Sequence, residues 1–412
     1  MTPTEPSLLR SIDAGDVYKR GRRAARLVRE PTAIRFEYLA AYLEDPAAPA
    51  VATTLPRSQV PVRTGGAGAV HPFFAGLLPE GRRLGALQRA VKTSADDELT
   101  LLLAVGADTI GDVQVVPLDA PLPADPTAVE IDDWHSVRFA DIYADVTGER
   151  LEPRRASIAG VQVKVSARVI SLPVARAHER MILKLDQPEY PHLVANEAFF
   201  LEAARKSGLP AAAAELVHDH DGHDGLVVTR FDRVGERDDK PRQLAQEDAC
   251  QVLGRYPADK YRLTTEAVVA GLAGVTSAPV VAARDILRQF AFAFLTCNGD
   301  AHAKNFSVLR AGGEWRVSPA YDLPSSYPYG DATLALSIDG KLDERIGRRD
   351  FVRLGRAVGV PERAVSRVLD DLVDRVDTWV DDLAMLPFDE RTLHKLRRAI
   401  EYRRQRLAIA AG

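Results

Sequence analysis

Phe290-Ala-Phe-Ala-Phe-Leu-Thr-Cys-Asn-Gly-Asp-Ala-His-Ala-Lys-Asn-Phe-Ser-Val-Leu309 is the stretch that decides the fold. An apolar helical run ends near Cys297 and passes directly into a polar loop, Asn298 to Asn305, after which Phe306 to Arg310 reads as a strand. Ala311-Gly-Gly-Glu314 then joins it to a second short strand, Trp315 to Ser318, as the composition of a tight hairpin requires. The hairpin delivers Tyr321 and Asp322. Asp300, Asn305 and Asp322 therefore come in order from one frame anchored on a buried helix.

Asp300 and Asn305 stand five residues apart, the Asp-to-Asn spacing of the protein-kinase catalytic loop, in which the Asp accepts the substrate hydroxyl proton and the Asn holds magnesium. Phosphoryl transfer needs positioning and charge neutralisation, so base and metal ligand must project from one rigid turn. Asp322, beyond the hairpin, is the natural second acidic metal ligand. Such chemistry also needs a lysine on a buried strand. Lys184 sits within Met181-Ile-Leu-Lys-Leu185, where an ammonium is costly unless a counter-charge or phosphate meets it. Glu197, opening the next predicted helix, is placed to orient it. Ahead of them, Ser157-Ile-Ala-Gly-Val-Gln-Val-Lys164 holds a Gly160 turn between strands that offers backbone N–H groups to phosphate. His302 lies in the catalytic-type loop as a metal or phosphate contact or as a structural histidine; zinc is not supported.

Outward from this centre, residues 1–120 read as a module of short strands and residues 121–150 as a Pro, Asp and Ala-rich linker and lead-in. Residues 151–235 mix strands with a helix, and residues 236–412 are chiefly helical. Within the first module, Asp16 to Val28 reads as strand, turn and strand. Phe73 to Gly81 reads as an apolar helical turn stopped by Pro79 and Gly81, and Ser94 to Leu103 as a capped helix. Gln246 to Leu253 carries helical spacing. The expected class is α+β, a bilobal protein-kinase-like fold with an N-terminal β-rich module and a large all-helical C-terminal lobe.

The 412 residues include 54 Lys plus Arg against 58 Asp plus Glu, a formal charge of −4, too balanced for a chain whose main work is gripping nucleic acid. Two basic clusters stand out locally: Lys19, Arg20, Arg22, Arg23, Arg26 and Arg29, and His394 to Arg406. Each reads as a solvated face or as a contact to DNA beside a partner. Cys250 and Cys297 form neither a disulfide framework nor a zinc pattern, and the first residues lack a secretory signal, so a reducing cytoplasmic setting is expected. Thr264 to Ala283 is Ala/Val-rich but broken by Glu266, Gly271, Gly274 and Pro279, hence a buried segment rather than a membrane span.

At these motifs the sequence resembles the HipA family, the serine/threonine kinase toxins of bacterial toxin–antitoxin modules. The family's phosphate loop Ser-Ile-Ser-Gly-Ala-Gln-Glu-Lys is similar to Ser157–Lys164, its catalytic Asp-Gly-His-Ala-Lys-Asn to Asp300–Asn305, and its metal-binding Tyr-Asp to Tyr321-Asp322. Its nucleotide hinge Glu-Arg-Phe-Asp-Arg is similar to Thr229–Arg233, and Phe73-Phe-Ala-Gly-Leu-Leu-Pro-Glu-Gly81 extends the likeness into the N-terminal module. Ala159, Val163, Ala301 and Thr229 depart from the family's Ser, Glu, Gly and Glu. Loops that bind phosphate through N–H groups tolerate such changes, although the loss of charge at Val163 bears on the tuning of that loop.

The resemblance implies ATP and Mg2+ as cofactors. It implies Asp300 as base, Asn305 and Asp322 on the metal, and an ATP site of Ala159, Gly160, Val161, Gln162, Val163, Lys164, Lys184, Thr229, Arg230, Phe231, His302, Ala303, Lys304, Asn305, Tyr321 and Asp322, with Glu197 orienting Lys184. It further implies autophosphorylation at Ser157, an aminoacyl-tRNA synthetase or similar translation factor as substrate, and a helix-turn-helix antitoxin through which operator DNA is bound, in a homodimer or a heterotetramer with that antitoxin. Two rival readings stand beside it: a small-molecule kinase of the aminoglycoside or choline type, whose His-Gly-Asp-x-His-x-x-Asn loop Asn298–Asn305 also resembles, and a catalytically weak co-repressor scaffold.

Overall fold

The computed structural model describes residues 6–66, 68–123, 129–148, 169–176, 179–235 and 242–409. Strands β1 (Ala14–Lys19) and β2 (Arg22–Glu30) meet at Arg20-Gly21, both at positive φ, 53° and 72°, the backbone that a right-twisted hairpin requires. With β3 (Ala33–Tyr38), β4 (Val62–Gly65) and β5 (Val113–Pro117) they form an antiparallel sheet in the order β4-β3-β2-β1-β5. Val17, Leu27, Phe36 and Val115 from this sheet close on Phe73, Phe74 and Leu99 to Leu103.

The apolar turn read from Phe73 is the short helix Pro72–Ala75, closed at Gly76. Gly81 does not stop a helix but starts one, Gly81–Val91, with Glu80 at its N-cap and Pro79 just outside. The helix expected from Ser94 starts at Glu98, because the Asp97 carboxylate accepts from the Thr100 N–H.

A second sheet, in the order β6-β7-β9-β8, is built from β6 (Val169–Arg176), β7 (Glu179–Asp186), β8 (Ala214–His218) and β9 (Asp224–Thr229). The helix Leu193–Lys206 packs on it. The lead-in to this sheet is structured: Trp134 and the helix Phe139–Thr147 put Trp134, Phe139 and Tyr143 into one core with Leu172, Leu183 and Val227. Gly225 lets that contact form, since a Cβ there would lie 2.6 Å from the Phe139 ring.

A two-residue pair, β10 (Arg233–Val234) and β11 (Arg242–Gln243), leads into the third unit. Here the helix Pro279–Leu295 is sheathed by the helices Thr265–Gly274, Arg348–Ala357, Glu362–Arg375 and Glu390–Ala408, which explains its unbroken run of buried Phe, Ala and Leu. Phe290 stacks on Phe306 with ring centroids 3.9 Å apart, fixing the helix end to the strand beyond the catalytic-type loop. The Ala/Val-rich stretch from Thr264 divides into two helices, and no described helix is long and apolar enough to cross a membrane. The helical lobe also carries a three-stranded sheet, β12 (Gln246–Asp248), β13 (Ser307–Ala311) and β14 (Glu314–Val317). Gln246 to Leu253 therefore splits into a strand and a single helical turn, because Gln246 to Asp248 pair with β13 and the Asp248 side chain caps the turn Ala249–Val252.

The first module is docked onto the other two by buried polar groups. Asp232 accepts from the Gly111 N–H at 2.8 Å, from Arg230 at 3.0 and 3.1 Å and from Arg233 at 2.6 Å, while both arginines reach the Thr109 carbonyl at 2.7 Å. Glu247 accepts from the Thr53 N–H and hydroxyl, and Gln251 donates to the Phe73 carbonyl.

Candidate active site

All three units meet around one cavity of about 350 Å³. Its wall takes Gly76 to Glu80 and Asp108 to Ile110 from the first module, Lys184, Glu197 and Thr229 to Asp232 from the second, and His302, Lys304, Asn305, Tyr321 and Asp322 from the third.

Lys184 lies mid-strand in β7, paired to Ser171 and Leu226, so its stem is surrounded by apolar sheet and its ammonium leaves on one face. Nζ donates to both Glu197 oxygens, at 2.7 and 2.9 Å, and to Asp322 Oδ1 at 3.0 Å. Burial alone would lower this ammonium's pKa, but two carboxylates outweigh it and hold the group charged, above its ordinary range. The same contact holds Asp322 below the usual carboxylate range, whereas burial pushes the deeper Glu197 up. The ion pair that the sequence pairs by analogy is thus present, with Asp322 as its third member.

The catalytic-type loop is shaped by its own polar residues. Asn298 accepts from the Asp300 N–H at 3.0 Å and donates to the Asp322 carbonyl at 3.3 Å, tying the two acidic positions together. Asn305 donates to Asp322 Oδ2 at 2.9 Å and to the Asp300 carbonyl at 3.3 Å. Asp322 itself has φ of +58°, a left-handed conformation uncommon for a non-glycine residue and least costly for Asp and Asn. Gly299 is required by close approach, since a Cβ would meet Ser326 Oγ at 2.6 Å and Asp331 Oδ2 and the Thr333 carbonyl at 2.8 Å.

Asp300 is 2% exposed and stands off the cavity wall, accepting a 2.6 Å hydrogen bond from the Tyr261 hydroxyl. His302 is on the wall, yet neither ring nitrogen has a hydrogen-bond partner among the described residues, and burial pushes its pKa down to about 3. Lys304 Nζ meets Glu80 Oε1 at 2.6 Å, and Lys260 takes the other Glu80 oxygen. Tyr321 donates to the Lys304 carbonyl at 2.7 Å and sets its ring 5.8 Å from Phe231, where burial keeps the phenol protonated.

The cavity thus gathers Lys184, Thr229, Arg230, Phe231, His302, Lys304, Asn305, Tyr321 and Asp322 of the sequence-derived site. Ala303 is buried but off the wall, its N–H donating to the Lys260 carbonyl. The side chain of Arg230 serves the docking of the first module rather than an adenine ring. Ser157, Ala159, Gly160, Val161, Gln162, Val163 and Lys164 lie outside the described residues. Sequence reasoning missed Glu80, Asn298, Tyr261 and Asp248, whose buried carboxyl on the wall is pushed up to about 6. Asn298 had a local signal, adjoining the loop it shapes, and Glu80 lay in the Phe73–Gly81 stretch that carries the family likeness.

The donor set suits a magnesium nucleotide. Asn305 and Asp322 supply oxygens, Lys184 a fixed cation, and His302 two buried nitrogens with no partner among the described residues.

Sheet, paired lysine and helical lobe with its Asp–Asn loop define a protein-kinase-like phosphotransferase. The chain matches the HipA-like C-terminal domain over residues 156–380 and the HipA N-terminal domain over residues 15–116. It is 30% identical over 391 residues to the Sinorhizobium fredii protein Y4mE, covering 88% of this chain and 90% of that protein. It is 28% identical over 360 residues to the serine/threonine-protein kinase toxin HipA of Shewanella oneidensis, covering 79% and 80%. The solved complex of Shewanella oneidensis HipA with HipB and its operator DNA superposes with a TM-score of 0.79 at 22% identity, covering 95% of this chain and 97% of that one. The chain belongs to the HipA family and is a HipA-type serine/threonine kinase.

Proposed function

We propose that the chain is a Mg-ATP-dependent toxin kinase that phosphorylates a serine or threonine of a translation component such as an aminoacyl-tRNA synthetase, modifies its own Ser157, and is restrained by a helix-turn-helix antitoxin. The observation that carries the reading is the Lys184 ammonium held between Glu197 and Asp322, with Asn305 bonded to the same Asp322, in one cavity. Asn305 and Asp322 would hold Mg2+, which supplies charge neutralisation for the transferring phosphoryl group. Lys184 would bind phosphate oxygens, His302 would donate to one, and Thr229 to Phe231 would line the base. Asp300 would accept the proton from the substrate hydroxyl.

The antitoxin partner is supported by the Shewanella oneidensis relative, which is seen with HipB and operator DNA. DNA contact through that partner agrees with the surface of this chain. All six basic residues of the first cluster are paired to carboxylates: Lys19 and Arg20 to Asp112, Arg22 to Asp45, Arg23 and Arg26 to Asp16, and Arg29 to Asp97. In the last helix Arg397 and Arg404 pair with Asp381 and Asp377, and Arg403 and Arg406 bond backbone carbonyls. The charges paired to carboxylates are neutralised locally and release few counterions. The test is incubation with γ-32P-ATP, Mg2+ and bacterial lysate. Label on a discrete protein, and on Ser157 by mass spectrometry, supports the reading; label on an aminoglycoside or choline instead overturns it.

A further inference from the structure

We infer that Tyr261 is a positioning residue for phosphoryl transfer, holding the Asp300 carboxylate in the orientation in which it receives the substrate proton. The inference rests on the assignment of Asp300 as base. Tyr261 comes just after a short turn, Pro257–Asp259, and the Lys260-Tyr261 pair touches the catalytic-type loop at three points. The Tyr261 hydroxyl donates to Asp300 Oδ1 at 2.6 Å, its ring meets the His302 ring edge-on at 5.0 Å and 75°, and the Ala303 N–H donates to the Lys260 carbonyl at 3.1 Å. The Lys260 side chain is in turn held by Glu80.

A carboxylate in a dry environment is free to turn about its terminal torsion, which is broad and roughly two-fold, unless a donor fixes it. A carboxylate offers about four acceptor positions, and a phenol O–H takes one of them while stabilising the ionised form that a base must have. The bond is short, and its donor belongs to a ring packed against the hydrophobic core, so it carries orientation as well as charge. The Asn298 side chain holds the Asp300 backbone N–H, which sets where the residue is but not how its carboxylate faces. Glu80 on Lys260 anchors the same segment to the N-terminal module, so the docked module helps to keep Tyr261 in place.

The test compares Tyr261→Phe, Asp300→Asn and the double variant in the full chain. Turnover is read as label moved from γ-32P-ATP to lysate protein and to the enzyme itself, and nucleotide affinity by calorimetric titration with Mg-ATP. Tyr261→Phe is expected to lower turnover by about 10 to 100-fold with ATP affinity unchanged and the fold retained, at a slightly lower melting temperature because the buried carboxylate loses a donor. In the double variant the loss is expected to equal that of Asp300→Asn alone, a coupling that a merely structural tyrosine would not show even if it lowered stability. Tyr261→Phe at wild-type turnover beside an inactive Asp300→Asn overturns the positioning role and leaves the kinase reading intact, as does a loss that adds independently to that of Asp300→Asn. Full transfer by Asp300→Asn overturns the assignment of the base itself.

Discussion

Replacing Glu197 by Gln keeps the shape of the side chain and removes its charge. Lys184 then loses a carboxylate that it meets at 2.7 and 2.9 Å and retains Asp322 at 3.0 Å as its remaining carboxylate among the described residues. At an effective dielectric near 20 the lost attraction is about 4 kcal/mol, the amide oxygen restores part of it, and the deeply buried carboxylate no longer has to be kept charged. The net expectation is about 2 kcal/mol of stability, read as a lower midpoint in urea with unchanged slope. The larger effect falls on activity. Without Glu197, the ammonium is drawn towards Asp322, the residue placed to hold the metal, so lysine and magnesium compete for one carboxylate. Turnover is expected to fall about 100-fold, which corresponds to about 2.7 kcal/mol at the transition state, with ATP affinity falling less. The assay is transfer from γ-32P-ATP at saturating Mg2+, beside nucleotide titration. A variant within threefold of wild type in turnover, folded and binding ATP normally, would show that Glu197 does not orient Lys184 and would refute the reasoning.

Other contacts carry three further expectations. Asp232→Asn is expected to cost about 3 kcal/mol in urea denaturation, because Arg230, Arg233 and the Gly111 N–H all converge on that buried carboxylate; a loss below 0.5 kcal/mol would mean that the N-terminal module is not docked through it. Gly299→Ala is expected to lower transfer more than 100-fold while ATP still binds, since its methyl group would press on Ser326, Asp331 and Thr333 and displace Asp300; normal turnover would contradict the close approach. His71 caps the turn Pro72–Ala75 by accepting from the Phe73 N–H at 3.2 Å, and burial holds its pKa down at about 4 against an ordinary 6.5. The unfolded chain therefore binds the proton more tightly, and the stability this histidine contributes is full above pH 6.5 and lost as the pH falls towards 4. His71→Asn keeps a capping side chain, so wild type should lose about 1 kcal/mol relative to the variant between pH 7 and pH 5, after discounting for partial exposure. A difference independent of pH would contradict the neutral cap.

The site was legible where one residue conflicted with its neighbours. A lysine inside Met181-Ile-Leu-Lys-Leu185 and an Asp, His and Asn directly after an apolar helix are each costly unless something meets them, and the structure supplies Glu197 and Asp322 for the lysine. Tight turns were equally legible, because Arg20-Gly21 and Gly312-Gly313 need positive φ. What escaped were the long-range pairs. Glu80 reaches Lys260 and Lys304, Asp232 reaches Gly111, and Tyr261 reaches Asp300, in each case from a segment with no periodic mark of its partner. The Thr229–Arg233 motif shows the limit of analogy. Thr229 to Asp232 line the cavity, but the charged side chains of Arg230, Asp232 and Arg233 face the docked module, which a motif read along the chain does not reveal. The basic clusters read as open faces because their acidic partners, Asp45, Asp97, Asp112 and Asp377 among them, come from elsewhere in the chain.

The most direct test of the central claim is phosphoryl transfer by purified protein from γ-32P-ATP to proteins of a bacterial lysate, with wild type and Asp300→Asn side by side and with Mg2+ present or chelated. Label on a discrete protein that needs both Mg2+ and Asp300 is the expected result. Label that persists in Asp300→Asn, or its absence from every protein with an intact wild-type chain that binds ATP, would contradict the account.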